Sequence, residues 1–263
     1  MPAALGQLRR AVNAERVRTG GRRSVLLGVV LPGAVLLPLV VTVVVATVSE
    51  HFSKVSGDVE VVPVGTTNSV YWILTFTVTV WCCVAAYTQA TADRGDLGDL
   101  GRILFPRSWT GVAARWVFYG VGAAVCTVTL AALTMIALPT FYPTVYGDVD
   151  LLSADGLRFV LTIPVYAVSA VGISLGVAAV VGNPAASVAI LLGWVYIVEN
   201  TIALIPNGYT IQGYMPFLNG VYGTGQAIVL MPPWGINGAI AYSGGVAVAM
   251  FAIACGTARL RRR

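Results

Sequence analysis

Long apolar runs separated by short polar segments dominate this chain. Each run is long enough to cross a bilayer as a helix, which needs about 20 residues. They fall at about 25–48, 70–91, 116–138, 159–181, 187–205 and 236–258. Composition agrees with this pattern, because 57% of the residues are hydrophobic and only 10% are charged, whereas a soluble domain carries about 25% charge. We therefore predict an all-α integral membrane protein whose domain, residues 25–258, holds six transmembrane helices.

The basic residues lie at the ends of the apolar runs, where they set topology. Of the 16 lysines and arginines, all but Lys54 and Arg158 fall in residues 1–24, between the second and third runs, or in the C-terminal tail 259–263. Basic residues favour the cytoplasmic side, so both termini are predicted to be cytoplasmic. The net charge of +5 is thus explained by topology and does not indicate a nucleic-acid partner.

Residues 1–24 combine arginines with an apolar stripe. Leu5, Leu8, Val12 and Val17 recur at near-helical spacing. This pattern is typical of an amphipathic helix that lies on the cytoplasmic leaflet, with its arginines near anionic lipid headgroups. The alternative is a basic tail that only enforces topology.

The segment between the fifth and sixth runs, residues 206–234, contains no charged residue. Loops in water usually carry charge, and here the apolar stretches 215–217 and 228–231 interrupt the polar residues. We predict a re-entrant segment that dips into the outer leaflet, where protein must satisfy its backbone polar groups. An ordinary interfacial loop is the alternative.

Glu199 is the one acidic residue inside the apolar runs. An ionisable group at that depth costs about 2.5–3.5 kcal/mol and usually faces a partner or a wet cavity. Tyr196 lies one helical turn before it and Asn200 beside it, so we expect these two residues to be its nearest partners. Two interpretations stay open, a residue that lines a substrate path or a carboxyl with a structural role.

The sequence does not assemble a convincing active site. It contains no phosphate-binding loop, no H-E-x-x-H and no G-x-S-x-G motif. His51 is the one histidine, and all four cysteines fall inside the apolar runs. We therefore expect no catalysis and no cofactor on this chain. The alternatives are an intramembrane enzyme that acts on lipid head groups through Glu199, and a non-catalytic assembly or immunity factor.

The segment between the second and third runs predicts a short helix. Asp96 can cap it, and Leu97, Leu100 and Leu104 share one face before Phe105 and a proline end it. A short amphipathic helix in the cytosol can insert into a groove on a partner protein. The alternative is a helix that only lies along the headgroups.

An ordered set of short motifs runs through the second half of the chain: Leu175-Gly176, Gly182 to Ala186, Gly193-Trp194, Val198-Glu199 and Met215-Pro216-Phe217. With the basic N-terminal helix and the six spans, this order resembles the membrane subunits of type-2 ABC exporters, over nearly the whole chain. One departure is the turn Gly182-Asn183-Pro184, where family members often carry a basic residue.

The resemblance implies a permease in a bacterial cytoplasmic membrane that exports a hydrophobic or amphipathic molecule such as a drug or lipid. It implies a dimer, with a second copy or a close homologue, bound to two copies of a separate ATPase that holds ATP and Mg. Residues 1–24 would be the elbow helix. The implied ATPase-coupling residues are Asp96, Leu97, Asp99, Leu100, Arg102, Leu104 and Phe105. The residues implied to line the path or gate are Tyr196, Glu199, Asn200, Met215 and Phe217.

Overall fold

The computed structural model describes residues 2–20, 24–55, 62–92, 94, 104 and 107–260, and the regular secondary structure of this part of the chain is all helical, without a strand. We number its helices in chain order. They are α1 (Pro2–Thr19), α2 (Leu26–Val55), α3 (Thr66–Ala92), α4 (Ser108–Phe141), α5 (Pro143–Tyr146), α6 (Ala154–Val181), α7 (Pro184–Leu204), α8 (Gly208–Gln212), α9 (Pro216–Thr224) and α10 (Gly235–Leu260).

Six of the described helices are long and apolar enough to cross a membrane, namely α2, α3, α4, α6, α7 and α10. The prediction of an all-α protein with six such helices is confirmed, and they indicate a multi-pass membrane protein. Some helices continue into polar residues beyond the apolar runs of the sequence. At the end of α2, Glu50 and Lys54 form an ion pair of 2.9 Å one turn apart, which supports the added turns.

Three stretches adopt the wider π form instead of the α form. They are Leu26–Leu36, Ile73–Thr77 and Gly193–Val198. In the first, Pro32 lacks an N–H group, and the helix continues through it with widened turns. The third lies immediately before Glu199, and it changes which side chains share a face with that residue.

Helix α6 is the most buried of the six and forms the centre of the bundle. Two of its glycines allow close packing. A Cβ atom on Gly172 would lie 2.8 Å from the Trp116 indole of α4, and one on Gly176 would lie 2.5 Å from Met250 of α10. Gly193 and Gly245 also follow a small residue by four positions, in α7 and α10, but among the described residues no atom beyond the local helix backbone lies within 4 Å of their Cβ positions.

A tight turn reverses the chain between α6 and α7. Gly182 ends α6 with φ of 67°, a left-handed conformation that favours glycine. The Asn183 side chain then accepts hydrogen bonds from the N–H groups of Ala185 and Ala186, and Pro184 occupies the first helical position. Sequence alone thus specifies this hairpin locally.

The N-terminal helix α1 packs against α4 through small and polar residues. Ala11, Glu15 and Thr19, which are four residues apart, are buried. Leu5 and Val17 of the predicted apolar stripe are 68% and 79% exposed. Leu8 and Val12 of the same stripe are half-buried, so the stripe faces away from the bundle only in part, and its contact with a membrane surface stays a prediction.

Candidate functional site

The candidate site lies where α7 meets the segment that follows it. That segment, predicted to be re-entrant, holds the short helices α8 and α9. Helix α9 packs closely between α6 and α10, because a Cβ atom on Gly220 would overlap the Tyr166 ring and one on Gly223 would lie 2.7 Å from the backbone nitrogen of Ile240. Glycine at these two positions lets α9 pack directly against both long helices.

Glu199 is completely buried and its carboxylate caps α9. Oε1 accepts hydrogen bonds from the Trp194 indole N–H at 2.9 Å and from the Phe217 N–H at 3.2 Å. Oε2 accepts one from the Leu218 N–H at 2.8 Å. These amide groups belong to the first turn of α9, where helix N–H groups lack partners and the helix dipole favours an anion. The buried carboxylate is therefore fully hydrogen-bonded by its own chain.

The prediction that Tyr196 and Asn200 are the nearest partners of Glu199 is wrong. The Tyr196 hydroxyl donates instead to Thr79 Oγ1 at 3.2 Å, and the Asn200 amide donates to the Val195 carbonyl at 2.8 Å. The π turns over Gly193–Val198 explain the difference. A wider turn places residue i next to i+5, so Trp194 replaces Tyr196 beside the carboxylate.

The opposite end of α9 is held by a positive charge. Arg158 of α6 donates to the Gly223 carbonyl at 2.8 Å and to the Asn237 side chain at 2.9 Å. The nearby Thr162 hydroxyl is 3.2 Å from the Thr224 carbonyl. A carboxylate thus lies at the N-terminus of α9 and a guanidinium at its C-terminus, and both complement the helix dipole.

Polar side chains also fix the chain between α8 and α9. The buried Asn219 amide donates to the Gly213 and Met215 carbonyls at 2.9 and 2.8 Å, and its oxygen accepts from the Trp234 indole at 2.8 Å. The Gln212 amide donates to the Glu199 carbonyl at 3.0 Å. Side chains therefore satisfy the Gly213, Met215 and Glu199 carbonyls, and the insertion of this segment into a membrane stays a prediction.

A cavity of about 200 Å³ lies between α3, α7 and α9, and Glu199 contributes to its wall. Four of the five residues predicted to line a path or gate surround it, namely Tyr196, Glu199, Asn200 and Phe217. Met215 does not line it, and precedes α9 as its N-terminal cap residue. Most of the remaining polar lining comes from Tyr71, Thr75, Thr79 and Gln212. The cavity can thus form several hydrogen bonds, and none of the described residues that line it is cationic.

A second cavity, of about 270 Å³, adjoins Trp194 and Phe217. Its lining is apolar, from residues such as Ile173, Leu191 and Met250, together with Trp194. Phe217 lines both cavities. The Trp194–Glu199 hydrogen bond and the Phe217 ring therefore separate a polar cavity from an apolar one.

A third polar cluster joins α1 to α3 and α4. The Glu15 carboxylate accepts from Arg115 Nε at 3.0 Å, and the same guanidinium donates to Gln89 at 2.6 Å. Arg18 of α1 donates to the Thr88 carbonyl at 3.2 Å. This cluster was not found from the sequence, although Glu15 is the one acid in residues 1–24 and could have signalled a buried partner.

The predicted coupling residues fall mostly outside the described residues. These are Asp96, Leu97, Asp99, Leu100, Arg102 and Phe105. Leu104 is described and is 65% exposed. The shared face of a short helix here stays a prediction.

No family model, curated protein or solved structure matches the chain. Within the described residues, no group of three or more His, Cys, Asp and Glu side chains is placed to hold a metal ion.

Proposed function

We propose that this chain is the permease subunit of an ATP-driven exporter of the type-2 ABC class, and that it moves a hydrophobic or amphipathic molecule outward across the cytoplasmic membrane. The observation that carries the proposal is the meeting of a polar and an apolar cavity at Glu199, Trp194 and Phe217. A molecule with a polar and an apolar part needs both surroundings along its path. The order of sequence motifs resembles that of this class. This resemblance is the basis for proposing that ATP drives the transport.

In this proposal α8 and α9 form the outer gate. Glu199 links α7 to α9, and Arg158 links α6 to α9. A displacement of α7 relative to α6 therefore pulls on both ends of one short helix. ATP binding closes the partner ATPase dimer, the permease halves shift, and α9 moves with α7 to open the polar cavity outward.

The N-terminal helix belongs to the same proposed mechanism. The cluster of Glu15, Gln89 and Arg115 joins α1 to the ends of α3 and α4, the two helices that flank the proposed coupling segment. Movement of that segment on a docked ATPase would therefore carry α1 with it. Charged groups that are paired and buried favour such a fixed arrangement over a sliding contact.

An intramembrane enzyme is a weaker alternative. A general acid or base must reach the proton that it transfers, but the Glu199 carboxylate already accepts three hydrogen bonds from its own chain. Among the described residues that line the polar cavity there is no histidine, cysteine, lysine or second acid. Its lining suits binding better than proton transfer.

The test is reconstitution of the full chain with the ATPase encoded beside its gene. We expect the two proteins to co-purify. Liposomes that contain both proteins should transport a fluorescent amphiphile only when ATP is present. Asp substitutions at Leu97 and Leu100 should weaken ATPase association. Glu199→Gln should retain association but alter transport, whereas Thr201→Val, two residues away, should change neither. Absence of both co-purification and ATP-dependent movement overturns the proposal, and lipid turnover by the chain alone, lost in Glu199→Gln, would favour the enzyme.

A further inference from the structure

A groove of about 530 Å³ lies apart from the Glu199 site, where α1 crosses α2, α3 and α4. Its lining is almost wholly apolar. Val12 of α1 and Leu26 of α2 form one end, Trp81 of α3 contributes to the wall, and α4 contributes residues from Val117 to Cys126. At 1.5 Å per residue, this stretch of α4 is about 13 Å long. The groove thus has the length and chemistry to take part of an acyl chain.

The side of the groove formed by α4 is open. Val117, Val121 and Val125 repeat every four residues and are all exposed, the last two by 54% and 59%. Gly122 lies on the same stretch, and a Cβ atom there would lie 2.6 Å from the Trp81 ring. The indole therefore packs directly against the α4 backbone at Gly122 and forms a rigid part of the groove wall.

Cationic side chains flank the α1 end of the groove. Arg9 and Arg16 are exposed and lie three residues before and four residues after Val12. Residues at these spacings are neighbours on one helix face, with Cβ atoms about 5–6 Å apart. Glu15, the one acid of α1, is buried and paired with Arg115. The exposed face of α1 beside the groove is therefore positive.

We propose that this groove binds one anionic phospholipid, with an acyl chain along α4 and the phosphate between Arg9 and Arg16. The juxtaposition of an apolar groove with two exposed arginines carries the proposal. A bilayer supplies such a lipid on the leaflet that contacts α1, and each nearby arginine strengthens its attachment through charge. The lipid would fix the position of α1 against α4. This inference does not depend on the transport proposal.

The test uses the full chain in nanodiscs of phosphatidylcholine with a minor fraction of phosphatidylglycerol. The chain is then released from the nanodiscs, and native mass spectrometry counts the lipids that stay bound to it. We expect one phosphatidylglycerol per chain, retained in preference to phosphatidylcholine. The Val121→Phe, Val125→Phe double variant fills the groove from its open side and should lose this lipid.

Two matched controls separate the groove from general effects. Val44 and Val48 of α2 are exposed and also four residues apart, so the same pair of Phe substitutions there should leave lipid retention unchanged. The Arg9→Gln, Arg16→Gln variant should weaken retention about fivefold per arginine. The Arg10→Gln, Arg259→Gln variant removes the same charge away from the groove and should retain the lipid.

Three results would overturn the proposal. One is equal retention of the two lipids by the unmodified chain. Another is equal loss in the groove and control arginine variants, which keeps the test decisive even if the Phe variant fails to fold. The third is a lipid-free dimer in which a second copy of the chain covers the groove. Transport activity enters none of these readouts, so failure here leaves the transport proposal intact.

Discussion

The Glu199 carboxylate and the Leu218 N–H group are joined by a hydrogen bond of 2.8 Å, which ties α7 to the first turn of α9. Glu199→Ala would leave the buried Phe217 N–H, the partly buried Leu218 N–H and the partly buried Trp194 indole without an acceptor. An unsatisfied buried group costs about 1–3 kcal/mol, so we expect the free energy of unfolding to fall by about 3 kcal/mol. Thermal unfolding of the purified chain in detergent measures this change.

Trp194→Phe is the graded comparison for Glu199→Ala. It removes one of the three donors and retains both backbone N–H groups of α9. We expect a loss of about 1 kcal/mol, smaller than that of Glu199→Ala. If Glu199→Ala were no less stable than Trp194→Phe, the carboxylate would not be the attachment between α7 and α9.

Gly223 allows α9 to pack on α10. In Gly223→Ala the new Cβ atom would lie 2.7 Å from the Ile240 backbone nitrogen, so the helices must separate, and overpacking costs about 1–3 kcal/mol. Gly245→Ala is the matched control, because no atom lies within 4 Å of its Cβ position, and alanine raises helix stability by up to about 1 kcal/mol. We expect the unfolding midpoint to fall in Gly223→Ala and to rise in Gly245→Ala. A fall of equal size in both variants would contradict the close packing.

The long helices could be predicted from the sequence because lipid leaves the backbone few choices. An apolar run of about 20 residues must form its hydrogen bonds internally, and a helix does so within one segment. The turn between α6 and α7 could also be predicted, because three consecutive residues, Gly182, Asn183 and Pro184, each form one part of it. Local rules therefore suffice where each contact lies within a few residues.

The partners of Glu199 could not be predicted in this way. The prediction assumed 3.6 residues per turn, and the π turns before Glu199 change that spacing. Its backbone partners, Phe217 and Leu218, lie 18 and 19 residues farther along the chain. The Arg158–Gly223 contact spans 65 residues. Contacts of this kind depend on how helices pack, which no local pattern encodes.

The Glu15–Arg115 ion pair should couple α1 to α4. Both side chains are only about a tenth exposed, at 10% and 11%, and their atoms lie 3.0 Å apart. Removal of one partner from a buried pair costs about 3 kcal/mol or more when the other charge is left uncompensated, but here Glu15 keeps Arg18 at 3.8 Å and Arg115 keeps its hydrogen bond to Gln89. Glu15→Gln and Arg115→Met should therefore each cost about 1–3 kcal/mol, and the double variant should cost less than their sum.

A double-mutant cycle on unfolding free energy measures that coupling. Arg10→Gln is the control, because it removes an exposed arginine of α1 whose side chain, within the described residues, hydrogen-bonds only the Gly6 carbonyl, and a surface substitution of this kind usually changes stability by less than about 0.5 kcal/mol. If the losses of unfolding free energy in the Glu15 and Arg115 single variants add up to the loss in the double variant, the ion pair does not hold α1 to the bundle.

Arg158 should control the C-terminal end of α9. Its guanidinium donates to the Gly223 carbonyl at 2.8 Å, and a hydrogen bond from a charged group contributes about 1.5–3 kcal/mol. In Arg158→Gln we therefore expect the α9 amides to exchange hydrogen about tenfold faster or more, with little change in the middle of α6. Arg107→Gln, which removes an exposed arginine before α4, is the control. Equal acceleration in both variants, or acceleration spread over all helices of Arg158→Gln, would mean that Arg158 acts on global stability and not on α9.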